Sequence, residues 1–318
     1  MKKPKPVLIY NQNNIIKMRR LFICLALFIF FLNLFAGEKM ITTSDGVQLY
    51  VKVEGKGTPL LYIHGGPGSG SYWFEKLTRD FMEENFTMIY LDQRGVGRSQ
   101  SAADQNYSME RMTLDFEEVR KALGFDSWLT LGHSFGGILQ MGYAERYPEA
   151  QKGMIMLNCT INLQESACES WIPKAAEFVG ESYTCTGDTV AIPQRMNEFG
   201  GKLREKDLFW KMGSRDPKTF PELDKISAEI ENFNFDFGRY AMDNPDYWKN
   251  FKPLTSTMEM PVLYFYGKTD FMVGPQHYED LEFKNLLLWE NKGGHIPFIE
   301  DKGDMEKAIL AYTAKYSL

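Results

Sequence analysis

A serine framed by glycines, and an aspartate and a histidine that each follow an apolar run, are the residues of this sequence best suited to breaking an acyl bond. Ser134 stands in Gly132-His133-Ser134-Phe135-Gly136-Gly137, after an apolar run at 128–131 and before a helix-periodic one at 138–144. A G-x-S-x-G set between a strand and a helix puts the hydroxyl on a sharp corner above the sheet. The flanking glycines are needed because a Cβ there collides where strand turns into helix. Such a hydroxyl becomes a nucleophile when an imidazole takes its proton, and the imidazole needs a carboxylate to fix its tautomer.

Four histidines are available: His64, His133, His277 and His295. His295 follows the last apolar run in a glycine-flanked loop, Gly293-Gly294-His295, and can aim at the carboxyl end of the sheet, where open α/β sheets bind ligands. Asp270 follows the run at 261–266 in the same way, with Asp280 as a rival acid and His277 expected in a helix just beyond. The expected triad is therefore Ser134, Asp270 and His295. Acyl transfer also requires donors for the developing oxyanion. The N–H of Phe135 is one, and Gly66 in the loop His64-Gly65-Gly66-Pro67-Gly68 supplies the other. His64, Arg94 and Arg98 are read as residues that pin loops. The scattered histidines form no H-E-x-x-H and the cysteines no paired zinc spacing, so neither metal nor other cofactor is expected.

The elements that must position these groups are legible from period and punctuation. An edge hairpin turns at Asp45-Gly46, strands are expected at 59–63, 86–91 and 153–158, and helices at 72–85 and 108–123. Ser108 is the expected N-cap of the second helix and Gly124 its stop. Gly95-Val96-Gly97 lacks the third glycine and the helix of a dinucleotide site. Between 160 and 252 no strand pattern remains, and short aromatic-rich helices are expected. Strands return at 261–266 and 285–289, and a helix closes the chain at 304–316. The fold class is α/β: a mostly parallel sheet with helices on both faces, its core at 37–159 and 253–318, and a helical cap inserted at 160–252.

The 318 residues suffice for one large domain with an insertion. Residues 1–36 differ in kind: Lys17-Met18-Arg19-Arg20 leads into an apolar run too short to span a bilayer, then Ala36-Gly37. That is the form of a secretory signal peptide, and a secreted or periplasmic protein is expected, with no stable membrane span after cleavage. The alternative is an uncleaved N-terminal anchor, and Met18 is an alternative start. The segment carries six basic groups and no acid, so its removal takes the formal charge from −6 to −12. So acidic a chain is a poor partner for nucleic acid. In an oxidising compartment Cys168 and Cys185 could pair, leaving Cys159 as a buried small hydrophobe.

The glycine loop His64–Gly68, the run Asp92-Gln93-Arg94-Gly95-Val96-Gly97-Arg98-Ser99, the Ser134 corner and Gly294-His295 together resemble the prolyl (proline) iminopeptidase family of α/β-hydrolases. The resemblance covers roughly 40–160 and 258–318. It implies an α/β-hydrolase fold, the chain order Ser, Asp, His for the triad, a small peptide or acyl substrate, and release of N-terminal residues through an acyl-enzyme. It also implies that cap glutamates bind the substrate ammonium. Glu231, in Ile230-Glu231-Asn232-Phe233-Asn234-Phe235, resembles the acid-aromatic stretch that does so. Residues 160–250 hold 16 acids against 11 bases, a balance that suits a cationic amine. One departure is the corner itself, where the family usually has G-G-S-W-G. This leaves the proline preference open and keeps a carboxylesterase or lactonase on the same triad, and a non-catalytic binding protein of this fold, as alternatives.

Overall fold

The computed structural model describes residues 37–185 and 191–318, so the expected signal peptide at 1–36 lies outside the described residues. Eight strands form one sheet: β1 (Gly37–Thr42), β2 (Gln48–Gly55), β3 (Thr58–Ile63), β4 (Phe86–Leu91), β5 (Trp128–His133), β6 (Gln151–Leu157), β7 (Val262–Gly267) and β8 (Leu286–Asn291), in the order β1-β2-β4-β3-β5-β6-β7-β8. β2 runs antiparallel to β4, and every pairing from β4 through β3, β5, β6 and β7 to β8 is parallel.

Alternation along the strands sends side chains to two covered faces. Leu60, Tyr62, Leu129, Leu131, Leu263 and Phe265 join Trp73, Phe74 and Met82 of the helix Tyr72–Asn85 and Met305, Ile309 and Tyr312 of the helix Lys302–Tyr316 in one apolar core. On the other face the helix Gly136–Arg146 lies on the sheet, where Gln140 Nε2 donates to the carbonyl and hydroxyl of Thr130. The helix Met109–Ala122 packs beside it. Sulfur of Met109 occupies the space a Cβ at Gly142 would need. Ser108 caps that helix, its side chain accepting the Arg111 N–H at 3.2 Å.

Between β6 and β7 the described residues form helices joined by turns, with a single β-bridge from Asn234 to Gly97. The helices include Leu163–Glu165 running through a π-turn into Ile172–Val179, then Ala191–Glu205 and Thr219–Ser227. Trp171, Ile172, Ala175, Ala176, Phe199, Leu203 and Met212 give this segment an apolar cluster of its own. Cys168 and Cys185 form a disulfide across it, and Cys159 at the end of β6 is buried and free. Residues Glu38–Leu318 nevertheless form one compact unit. The helix expected around His277 is absent: residues 271–280 are turns, because Gly274 at φ +117°, Pro275 and Asp280 at φ +65° break any helical run.

Candidate active site

Chain segments leave the carboxyl ends of neighbouring parallel strands on one side of the sheet, and the chemistry expected from sequence collects there. Ser134 is the first residue after β5 and sits at φ +57°, a conformation that side-chain-bearing residues adopt only under constraint. The constraint is visible in the packing. A Cβ at Gly136 would collide with the carbonyl oxygen of Ile63, and one at Gly65 would lie 2.8 Å from Ser134 Cβ. The Ser134 carbonyl accepts the N–H groups of Gly137 and Thr160 at 3.0 and 3.1 Å, which fixes the corner from both sides.

Asp270, three residues past β7, and His295, four past β8, are in contact: His295 Nδ1 donates to Asp270 Oδ2 at 2.9 Å. The same oxygen receives Asn158 Nδ2 at 2.8 Å, and Oδ1 receives the N–H groups of Met272 and Val273 at 3.0 and 3.1 Å. Burial opposes ionisation of Asp270, but His295, Asn158 and the Val273 amide outweigh it and hold the carboxyl below its usual range. With Nδ1–H engaged, Nε2 of a neutral His295 is the ring's free acceptor. Asn158, at the end of β6 with φ +48°, also donates to the Gly294 carbonyl at 3.0 Å. His133 Nε2 donates to the His295 carbonyl at 2.8 Å, and burial together with neighbouring His295 pushes the His133 imidazole down to about 3. On the far side the His295 N–H donates to the Gly213 carbonyl at 2.7 Å.

Ser134 and His295 line one cavity of about 380 Å³, with Gly66, Trp73, Phe220, Phe233 and Met272 among its walls. Ser134 Oγ has no hydrogen-bond partner among the described residues. Free hydrolases commonly close the nucleophile–base bond only around substrate. The amide N–H groups of Gly66, at φ +112°, and of Phe135 have no protein acceptor among the described residues. The arrangement offers a hydroxyl, a base held by an ionised acid, and two free amides, which is the equipment for acyl transfer.

Other expected residues fall elsewhere. Glu231 is exposed and does not line this cavity, whereas Phe233 and Phe235, just past Asn232 at φ +54°, do line it, Phe235 remaining 47% exposed. The acid on the cavity wall is Asp224. Asp280 and His277 line a separate polar cavity. His64 is fully buried and ties two loops together, its Nε2 accepting the Gln93 N–H at 3.1 Å while Gln93 Nε2 donates to its carbonyl. Arg94 is held by Asp115 and Asp45, and Arg98 by Asp92, so all three fasten loops around the site. Asn158 and Asp224 escaped the sequence reading. An asparagine ending an apolar strand was the only signal of the first, and the second is one acid among many in an irregular segment.

Residues 58–302 match the family described as alpha/beta hydrolase fold. The proline iminopeptidase of Neisseria meningitidis serogroup A is 35% identical over 113 residues, 34% of this chain and 36% of that protein. The chain thus matches little more than a third of the length of this curated relative. Among solved structures, a proline iminopeptidase-related protein from Thermus thermophilus superposes with a TM-score of 0.72 at 22% identity, covering 87% of this chain and 97% of that one. A thermophilic esterase from Thermogutta terrifontis superposes with a TM-score of 0.67, also at 22% identity, over 89% of this chain and 100% of that one. Likeness at that identity concerns the fold.

Proposed function

The chain belongs to the α/β-hydrolase fold family, and from that premise we propose that it is a serine hydrolase that releases N-terminal residues from short peptides. What carries the reading is the His295–Asp270 contact at 2.9 Å beside a strained Ser134 in one cavity. Ser134 Oγ attacks the scissile carbonyl carbon while its proton passes to His295 Nε2. Asp270 keeps Nδ1–H and stabilises the imidazolium without taking the proton. The carbonyl oxygen becomes an oxyanion between the Gly66 and Phe135 amides. Collapse of the tetrahedral adduct breaks the C–N bond, and the departing amine takes the proton from His295. Water then attacks the Ser134 ester with His295 as base, returning the acid product and the free hydroxyl.

The peptidase assignment draws on the proline iminopeptidase relatives and on Asp224, an exposed carboxylate that borders the cavity and can receive a substrate ammonium in place of Glu231, which does not border it. A carboxylesterase or lactonase on the same residues is the second reading, favoured by a wall built largely of Trp73, Phe209, Phe220, Leu223, Phe233 and Phe235. The disulfide between Cys168 and Cys185 suits a protein that is exported on a signal peptide at 1–36.

A fluorophosphonate probe separates catalyst from binding protein. It labels the wild type and fails on Ser134→Ala. Equal labelling of both sinks the nucleophile assignment, and no labelling of folded wild type favours the non-catalytic reading. Aminoacyl arylamides assayed beside short acyl esters then divide peptidase from esterase.

A further inference from the structure

A second cavity, of about 520 Å³, adjoins the one that holds Ser134 and shares Gly66, Phe209 and Phe235 with it. Gly66 is the outer donor of the oxyanion pair, so a scissile carbonyl held there sits at the junction of the two chambers. A substrate whose acyl part fills the Ser134 chamber therefore sends its leaving part toward the second. We propose that this second chamber recognises a carboxylate on the leaving part, with Arg204 as its receptor. For the peptide hydrolysis argued above, on which this inference rests, that carboxylate is the free C-terminus of a short peptide.

Three charged residues line the chamber: Arg204, Arg239 and Asp243. Arg239 is already engaged, its Nη1 lying 2.9 Å from Asp236 Oδ1. Arg204 has no carboxylate partner among the described residues. Its guanidinium lies 4.3 Å from the centre of the Phe209 ring, a wall common to both chambers, and that ring is itself braced by Phe220 at 5.6 Å. The space beside it is kept open by Gly200, one turn earlier in the helix Ala191–Glu205, where a Cβ would come within 3.3 Å of Nη1. Stacking on an aromatic face restrains the guanidinium and leaves its N–H fork free, the geometry that suits a planar carboxylate bound through two hydrogen bonds. Asp243 has neither a partner nor a stacking surface among the described residues to hold it. A carboxylate entering the second chamber therefore meets a cation stacked on Phe209.

The test compares three substrates: a tripeptide with a free C-terminus, the same peptide as its C-terminal amide, and an aminoacyl arylamide whose leaving group is uncharged. Each is assayed with the wild type, Arg204→Gln and Asp243→Asn. The wild type favours the free acid over the amide by about tenfold or more in kcat/KM, the scale of a charge-assisted hydrogen bond. Arg204→Gln abolishes that preference, and its loss is confined to the free acid. Asp243→Asn retains the preference. The proposal is overturned if the wild type treats acid and amide alike, if it prefers the amide, or if Arg204→Gln slows all three substrates equally. Turnover of the arylamide with no acid preference removes the Arg204 site alone. Absence of turnover on all three removes the peptidase reading and the proposal with it.

Discussion

Asn158 Nδ2 lies 2.8 Å from Asp270 Oδ2, the same oxygen that accepts Nδ1–H of His295. Its other contact, to the Gly294 carbonyl, pins the loop that carries the base. One amide, just past a third strand, thus ties Asp270 to the loop that carries His295. Asn158→Leu keeps the bulk and removes both donations. A hydrogen bond to a charged group contributes about 1.5–3 kcal/mol, so kcat should fall by roughly ten- to a hundredfold with KM little changed. With a donor lost, Asp270 takes its proton at higher pH and the low-pH edge of activity moves upward. An unmoved edge accompanied by a lower Tm would reduce Asn158 to a packing role.

Acid should destabilise the protein before its ordinary carboxylates titrate. Burial pushes the His64 imidazole down to about 4 and the His133 imidazole, also repelled by His295, down to about 3. Burial lowers His277 as well, against the pull of Glu165. An unfolded histidine titrates near ~6.5, so below that pH the unfolded chain binds protons that the native chain refuses. Stability is then fully present above about pH 6.5 and declines as pH falls toward about 4, each group adding a slope of up to ~1.4 kcal/mol per pH unit. Urea midpoints measured from pH 7.5 to 5 should fall steadily, and a flat series would contradict the burial argument.

The ammonium site divides two carboxylates. Asp224→Asn should lower kcat/KM on a free-amine aminoacyl arylamide by about ten- to a hundredfold, and leave a neutral acyl ester nearly untouched. Glu231→Gln, altering an exposed side chain outside the cavity, should change neither rate appreciably. The reverse pattern returns the role to Glu231. Equal losses on both substrates make the residue structural.

Export and covalent bonding can be checked together. Mass spectrometry of protein from the native host should find a chain beginning near Gly37, with Cys168 and Cys185 joined. Replacing both by serine opens a loop of sequence separation 17 and should cost about 3 kcal/mol in unfolding experiments. Full-length protein in the cytosolic fraction would rule the export reading out.

What the sequence made legible follows from how far apart the cooperating residues are. Ser134, Asp270 and His295 each follow a strand in a glycine-marked turn, so local pattern alone singled them out as candidates. Helix Tyr72–Asn85 and the Ser108 cap were legible for the same reason: period and capping are properties of neighbours. Asn158 was not, because its meaning comes from an oxygen 112 residues away. The segment between β6 and β7 resisted most. Apart from the helix Ala191–Glu205 its elements are short and irregular, and no local pattern marks which of its acids borders the cavity. The turns around His277 defeated a helix expectation through two adjacent breakers, Gly274 and Pro275.

The hydrogen bond from the His295 N–H to Gly213 has a thermal consequence. The carbonyl that steadies the base belongs to the helical segment, and Gly213 approaches so closely that a Cβ would lie 2.7 Å from His295 Cβ. Short helices with few long-range partners open at lower free energy than a central sheet. On warming, the first molecules to lose turnover would then be ones whose sheet is still intact, with the base adrift because its clasp on the helical side has let go. Activity that returns on cooling, with the sheet signal unchanged throughout, is the expected mark of such local opening.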